Sequence, residues 1–250
     1  MRELRKARRL ARLVDALPKI RRKVAQLLKG RDPTREFALA AVVELIARTA
    51  IRPGNEAYTR MHGSRGATTL LKSNVAIEED CVVLSFCAKG GKQVRKECDA
   101  RRLVHAIKVL RSLPGSHLFQ YRDENGNLQR VGASQVNQFL REMSGIKISL
   151  KDFRTLLASA AVLESLARVQ PAESAAKRRR QILEAVRASA EELANTPAVC
   201  RRSYVHDTVV TAFERGMLEK FSTTLKSCRS AAAREKVLSQ VIATARLEAS

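Results

Sequence analysis

The spacing of apolar residues predicts that helices form most of this chain. Apolar residues recur every three or four positions from Leu4 to Leu28 and again from Phe37 to Ala50, as in amphipathic helices. Pro18 interrupts the first segment and is expected to break or kink its helix. Asp32-Pro33-Thr34 predicts a turn and the start of the second helix.

The apolar period changes from helical to alternating in the middle of the chain. Alternation between Thr68 and Asp99 predicts an antiparallel sheet of about three strands. Lys89-Gly90-Gly91-Lys92 predicts the hairpin turn that joins the last two strands. Asp123-Glu124-Asn125-Gly126 predicts the tip of a second, shorter hairpin.

Helical spacing returns after residue 101 and continues to Leu247, with two clear start signals. Ser149-Leu150-Lys151-Asp152 matches a capping box and places Arg154 in the first turn of its helix. Thr196-Pro197 combines a capping hydroxyl with proline at the first helical position, so Tyr204 falls about two turns along that helix. The predicted fold class is α+β: mainly α with a small antiparallel sheet.

Composition and charge point to a polyanionic partner. The 250 residues include 45% hydrophobic residues but only 4% aromatic ones and no Trp, so alanine and leucine fill most of the core. Lys and Arg total 47 against 25 acidic residues, a net charge of +22. Because each neutralised phosphate releases counterions, this excess favours nucleic acid over a basic surface kept only for solubility.

Cysteine usage and hydropathy favour a cytosolic protein. The five cysteines are scattered and form no CxxC pair, so we expect reduced, buried thiols. The sequence contains neither an apolar stretch that would span a membrane nor a signal core. The basic N-terminus is also compatible with binding to a membrane surface, but we favour no membrane partner.

Four basic or nucleophilic side chains match the needs of phosphodiester cleavage. Tyr204 lies in a basic run and offers a phenol nucleophile, and Arg52 and Arg154 are cations that can each bond two phosphate oxygens. Lys89, on the predicted hairpin, can donate a proton to a leaving oxygen. Taken singly, each is more typical of a surface arginine, a turn lysine or a packed tyrosine.

Together, the segments around these residues closely resemble the catalytic motifs of type IB DNA topoisomerases of the bacterial and poxviral kind. The segments are residues 48–56, 63–70, 86–92, 151–155 and 195–204. Their order and spacing match the family from about residue 35 to residue 210. The resemblance implies the catalytic-domain fold of DNA breaking-rejoining enzymes, which tyrosine recombinases share.

The resemblance also implies a mechanism and its residues. Tyr204 attacks DNA to give a 3′-phosphotyrosine and a free 5′-hydroxyl, the cut strand rotates, and the hydroxyl reseals the break without ATP, metal or other cofactor. Arg52 and Arg154 clamp the scissile phosphate, and Lys89 protonates the leaving oxygen. The remaining candidates are Asn195 as a catalytic helper and Lys151, Lys92, Arg65, Arg201 and Arg202 as DNA-binding residues.

The match also predicts the domain organisation and the partner. We expect a basic helical linker at 1–34 and a catalytic domain at 35–250, with its sheet at about 68–99 and its tyrosine-bearing helical part at about 101–250. The family's mostly β N-terminal domain has no counterpart among these segments. The expected partner is double-stranded DNA, bound by a monomer in the cytoplasm at the nucleoid.

Two departures from related patterns separate the alternatives. A tyrosine recombinase usually has His-x-x-Arg at its second arginine, where this chain has Lys151, and Leu-Gly-His where this chain has Leu193-Ala194-Asn195. Eukaryotic and poxviral topoisomerases carry histidine at the position of Asn195, whose amide brings no charge. His206, two residues past Tyr204, points elsewhere on the helix and does not replace it. A DNA-binding protein without catalysis remains the third alternative, and it would form no covalent adduct.

Overall fold

The computed structural model describes residues 2–228 and 230–247 and is mostly helical with small antiparallel sheets, as predicted. The helices are α1 Arg2–Leu27, α2 Arg35–Thr49, α3 Glu56–His62, α4 Arg101–Arg111, α5 Ala133–Ser144, α6 Leu150–Leu166, α7 Ala175–Glu192, α8 Pro197–Ser203, α9 Asp207–Glu214, α10 Glu219–Ser227 and α11 Ala231–Leu247. The strands are β1 Val75–Glu78, β2 Cys81–Ala88, β3 Lys92–Asp99, β4 Gln120–Arg122 and β5 Leu128–Arg130.

The chain divides into two compact units. Residues 17–151 form one, here the sheet unit. The described residues within 1–16 and 152–250 form the other, here the tyrosine unit. Among the described residues, no helix combines the length and the apolar character needed to cross a bilayer.

The sheet unit is built around the buried helix α2. Every residue from Phe37 to Ile46 is buried, and α2 packs against α4 and α5. Apart from Glu44, this segment is apolar on all sides, so only an interior position shields it from water. The predicted helix start at Thr34 is confirmed, and the side-chain oxygen of Thr34 accepts a hydrogen bond from the amide of Phe37 that caps α2.

Both predicted hairpins lie in the sheet unit. β2 pairs with β1 on one side and with β3 on the other, all antiparallel, and Ala88 lies opposite Lys92. Lys89 is therefore in the connecting turn, where Gly90 and Gly91 have φ of +80° and +72°. β4 and β5 form the second hairpin around Asp123–Asn127.

In the tyrosine unit, α7 packs against α8, and α9 packs against α11. A buried apolar core includes Phe153 and Val162 of α6 and Phe213 of α9. Thr196 accepts a hydrogen bond from the amide of Val199 with Pro197 at the first helical position, so the predicted start of α8 is confirmed.

Two expectations from the sequence are wrong, and a third is confirmed in a divided form. The predicted break at Pro18 does not occur, since α1 continues through it. Buried Leu13, Leu17, Ile20 and Val24 flank the proline, and their burial, about 1.5–3 kcal/mol each, outweighs a cost of ~3 kcal/mol. The helical prediction for Leu218 to Leu247 is confirmed, as two helices: α10 ends at Ser227 and α11 begins at Ala231. The expectation of buried thiols is wrong for four of the five cysteines, since only Cys200 is fully buried. The others are half-buried because they lie on sheet faces or at helix ends, and none of the five is in a disulfide.

Candidate active site

Arg52 lies in a loop that main-chain hydrogen bonds fix in place. α2 ends at Thr49, and Ala50, with φ of +52°, turns the chain out of the helix. The Arg52 carbonyl then accepts a hydrogen bond from the Ala67 amide at 2.8 Å. The Pro53 carbonyl accepts from both the amide and the hydroxyl of Thr68, at 2.8 and 2.9 Å. The position of the Arg52 backbone therefore depends on residues 66–68.

The same segment also holds the strand that carries Lys89. The Arg65 amide donates to the carbonyl of Cys87 at 2.7 Å, near the end of β2. Two residues later the chain enters the β2–β3 turn at Lys89. Residues 65–68 thus tie the Arg52 loop and the base of the Lys89 hairpin to one another within the sheet unit.

Tyr58 is a neighbour of Lys89 that sequence reasoning missed. The Lys89 Nζ lies 4.9 Å from the centroid of the Tyr58 ring, close enough for a cation–π attraction of about 0.5–1 kcal/mol. Tyr58 is in α3, where its amide donates to the side-chain oxygen of Asn55 at 2.8 Å. No motif marks Tyr58, and its place six residues after Arg52 is the only signal in the sequence.

We expect Gly66→Ala to slow cleavage because it displaces the backbone of Arg52. An added Cβ would lie 2.5 Å from the Arg52 carbonyl oxygen and 2.5 Å from the Gly54 nitrogen, both main-chain atoms that would have to shift. We expect a loss of about 1–3 kcal/mol of stability and roughly 10²-fold in single-turnover cleavage.

Gly132→Ala is the matched control, since its new Cβ would be 3.6 Å from its nearest neighbour, a side-chain oxygen. This variant is expected to keep the wild-type cleavage rate. If Gly66→Ala cleaves DNA as fast as Gly132→Ala, the close packing of Gly66 against the Arg52 carbonyl does not position Arg52.

Arg154 and Tyr204 are in direct contact in the tyrosine unit. The guanidinium carbon of Arg154 lies 4.7 Å from the centroid of the Tyr204 ring. Arg154 is only 1% exposed, and its Nη2 donates to the Leu193 carbonyl at 3.1 Å. A buried cation is costly unless neighbouring groups compensate it. Leu193, at the end of α7, therefore helps to hold the guanidinium over the tyrosine.

The Tyr204 backbone is held at the junction of α8 and α9. Its amide donates to the Cys200 carbonyl at 2.9 Å, and Arg201 forms an ion pair with Asp207 across the turn. Burial raises the pKa of the Cys200 thiol, so this cysteine is a poor rival nucleophile. Tyr204 terminates α8 rather than lying within it. The expectation that His206 shares this helix is wrong, because it caps the start of α9.

Asn195 is set by the turn between α7 and α8. Ala194 has φ +50°, an uncommon conformation for a residue other than glycine. The amide of Asn195 donates to the Ala190 carbonyl at 2.8 Å and that of Ala194 to Glu191 at 2.9 Å, which closes the end of α7. The turn therefore positions both the Leu193 carbonyl and the mostly buried side chain of Asn195.

The five predicted DNA-binding cations fall into two groups. Lys92, Lys151 and Arg202 are exposed, at the start of β3, in the first turn of α6 and on α8. Arg65 donates from Nη1 to the Thr69 carbonyl at 2.8 Å, and Arg201 pairs with Asp207. Arg65 and Arg201 are half-buried, so these bonds also fix their positions within the protein.

Arg154→Lys is expected to lower the single-turnover cleavage rate on the order of 10²-fold, and Arg154→Ala at least as much. A lysine ammonium cannot bond the Leu193 carbonyl and two coplanar phosphate oxygens as a guanidinium can. Melting temperatures of both variants control for folding. Near-normal cleavage by the alanine variant would exclude Arg154 from the site.

The chain is similar to known DNA topoisomerases. The protein-family model for the catalytic core of eukaryotic DNA topoisomerase I matches residues 1–232. The DNA topoisomerase 1B of Acanthamoeba polyphaga mimivirus is 27% identical over 210 residues, which cover 81% of this chain. The chain spans 62% of the length of that viral protein.

Proposed function

Because the chain belongs to the family of DNA topoisomerase I catalytic cores, of type IB as the motifs predicted, we propose that it relaxes supercoiled DNA. It does so by cutting one strand, letting that strand rotate and resealing it. Its partner is double-stranded DNA, bound by a monomer at the nucleoid. The catalytic part has the fold that tyrosine recombinases also use.

Cleavage proceeds by transfer of a phosphodiester to tyrosine. The Tyr204 phenol oxygen bonds to phosphorus, its proton passes to solvent, and the bond from phosphorus to the 5′ oxygen breaks. Lys89 gives a proton to that leaving oxygen. Arg52 and Arg154 bond the nonbridging oxygens, on which negative charge accumulates in the transition state, and Asn195 adds an uncharged donor.

Religation is the reverse of this step. The 5′-hydroxyl oxygen bonds to phosphorus, Lys89 takes up its proton, and the bond from phosphorus to the Tyr204 oxygen breaks, with the released phenolate taking a proton from solvent. The phosphodiester energy is kept in the covalent link throughout, so the cycle needs no nucleotide. Rotation of the free 5′ end between the two steps changes the linking number.

The contact between Arg154 and Tyr204 carries this proposal. It places a permanently charged, main-chain-anchored guanidinium against the only tyrosine in the predicted motif. A tyrosine that served only for packing would not need a buried cation beside it, since burying the charge is costly. A phosphate-transfer site does need both groups together.

Incubation of negatively supercoiled plasmid with the protein in EDTA tests the function. We expect a ladder of relaxed topoisomers on an agarose gel. Joined products from two recombination-site plasmids would instead favour a recombinase. Plasmid that stays supercoiled at protein concentrations that shift its mobility would leave only DNA binding and overturn the proposal.

We expect DNA affinity to fall steeply with salt, because the net charge of +22 favours contacts to phosphates. A protein that neutralises about six phosphates loses on the order of 10³-fold in affinity between 50 and 200 mM salt. Fluorescence anisotropy with a labelled duplex measures this slope. An affinity that changes less than about threefold over that range would contradict phosphate-dominated binding.

A further inference from the structure

Ser159 makes two hydrogen bonds to the main chain around the nucleophile. It lies on α6, is 0% exposed, and its hydroxyl donates to the Tyr204 carbonyl at 3.2 Å. The same oxygen accepts from the His206 amide at 3.0 Å. One buried side chain therefore fixes the peptide groups on both sides of Val205.

Helix α6 consequently holds Tyr204 at two points. Arg154 lies against its ring, and Ser159, five residues further along the helix, holds its backbone. These two positions are about 7.5 Å apart along the helix axis. Because both contacts come from one rigid helix, they restrict the position of Tyr204 and the direction of its ring.

The surrounding turn has independent supports. His206 accepts a hydrogen bond at Nδ1 from the Thr208 amide at 3.2 Å and so caps α9. The Arg201–Asp207 ion pair and the bond from the Tyr204 amide to the Cys200 carbonyl close the turn. Loss of the Ser159 hydroxyl is therefore expected to leave the turn folded while it removes the bond between the Tyr204 backbone and α6, so that only the ring contact with Arg154 remains.

We propose that Ser159 is a positioning residue that aligns the Tyr204 phenol for in-line attack on the scissile phosphate. This inference rests on the proposed function, in which the phenol oxygen forms a bond to phosphorus as the 5′ oxygen leaves. Displacement of a nucleophile by about 1 Å can cost 10²-fold in rate. The hydroxyl acts through the backbone of Tyr204 and makes no contact with DNA.

Ser159→Ala tests the inference in single-turnover cleavage at saturating protein. We expect the rate of adduct formation to fall roughly 10–10²-fold, while the duplex dissociation constant stays within about twofold because no DNA contact is lost. Religation of isolated adduct is expected to slow by a similar factor, since the same alignment is needed in reverse. A substrate with a 5′-bridging sulfur is expected not to rescue the variant, because the leaving group is not its defect.

Ser144→Ala is the matched control in the sheet unit. Ser144 is also buried, donates to the Leu140 carbonyl at 2.6 Å and accepts from the Ile146 amide at 3.3 Å. Both variants are expected to lower the melting temperature by about 2–8 °C. Only Ser159→Ala is expected to slow cleavage when both are assayed well below their melting temperatures.

Each outcome has one meaning. Wild-type cleavage and religation rates in Ser159→Ala, or equal slowing in both serine variants, would overturn the positioning role. Absence of adduct in the wild-type protein would instead contradict the proposed function itself. A rate defect that the sulfur substrate repairs would place the loss at the leaving group, against the inference.

Discussion

Tyr204→Phe is expected to abolish the covalent protein–DNA adduct while DNA binding stays close to wild type. The substitution removes only the phenol oxygen. The ring remains, and with it the contact to Arg154 at 4.7 Å and the main-chain bonds to Cys200 and Ser159. The measurement is denaturing gel electrophoresis of protein trapped on labelled duplex, paired with native gel shifts for binding.

Tyr121→Phe is the control for loss of a tyrosine hydroxyl. Tyr121 is buried in β4, and its hydroxyl has a 3.4 Å contact with Gln135 in the sheet unit. We expect this variant to form adduct at the wild-type rate. Adduct that persists in Tyr204→Phe would move the nucleophile to another residue.

Lys89→Ala is expected to slow cleavage of ordinary DNA by roughly 10²–10⁴-fold, the usual range for a lost general acid. Lys89 is exposed on the β2–β3 turn with its ammonium beside Tyr58. A 5′-bridging sulfur leaves readily without a proton. The variant is therefore expected to cleave the sulfur substrate almost as fast as the wild-type protein does.

Lys92→Ala is the control that distinguishes a proton-donating role of Lys89 from the effect of losing one positive charge in the same hairpin. Lys92 is exposed at the start of β3 and opposite Ala88 in the same hairpin. Its loss is expected to weaken DNA binding modestly and equally for both substrates. Equal impairment of Lys89→Ala on oxygen and sulfur substrates would mean that Lys89 only binds DNA.

Local signals account for the parts of the fold that the sequence predicted well. Thr34 and Thr196 cap their helices through contacts with residues three positions away. The Gly90-Gly91 turn likewise needs only positive φ angles, which glycine adopts at little cost in free energy. Such features involve few residues close in sequence, so a pattern can identify them.

Long-range packing decided the features that the sequence did not reveal. Arg154 reads as a surface arginine, yet it is buried because the Leu193 carbonyl, 39 residues away, accepts its hydrogen bond. Ser159 reads as one more small residue on α6, and its partners lie 45 and 47 residues away. Ala194 adopts a conformation usual for glycine only because the turn between α7 and α8 requires it.

Identification of the residue that becomes linked to DNA tests the central claim most directly. Wild-type protein is trapped on a duplex whose cleaved fragment cannot religate, digested with trypsin and nuclease, and sequenced by mass spectrometry. The expected result is a 3′-phosphonucleotide on the peptide that contains Tyr204. Attachment to the peptide of Tyr58 or Tyr121, linkage through a 5′-phosphate, or absence of any linked peptide would contradict it.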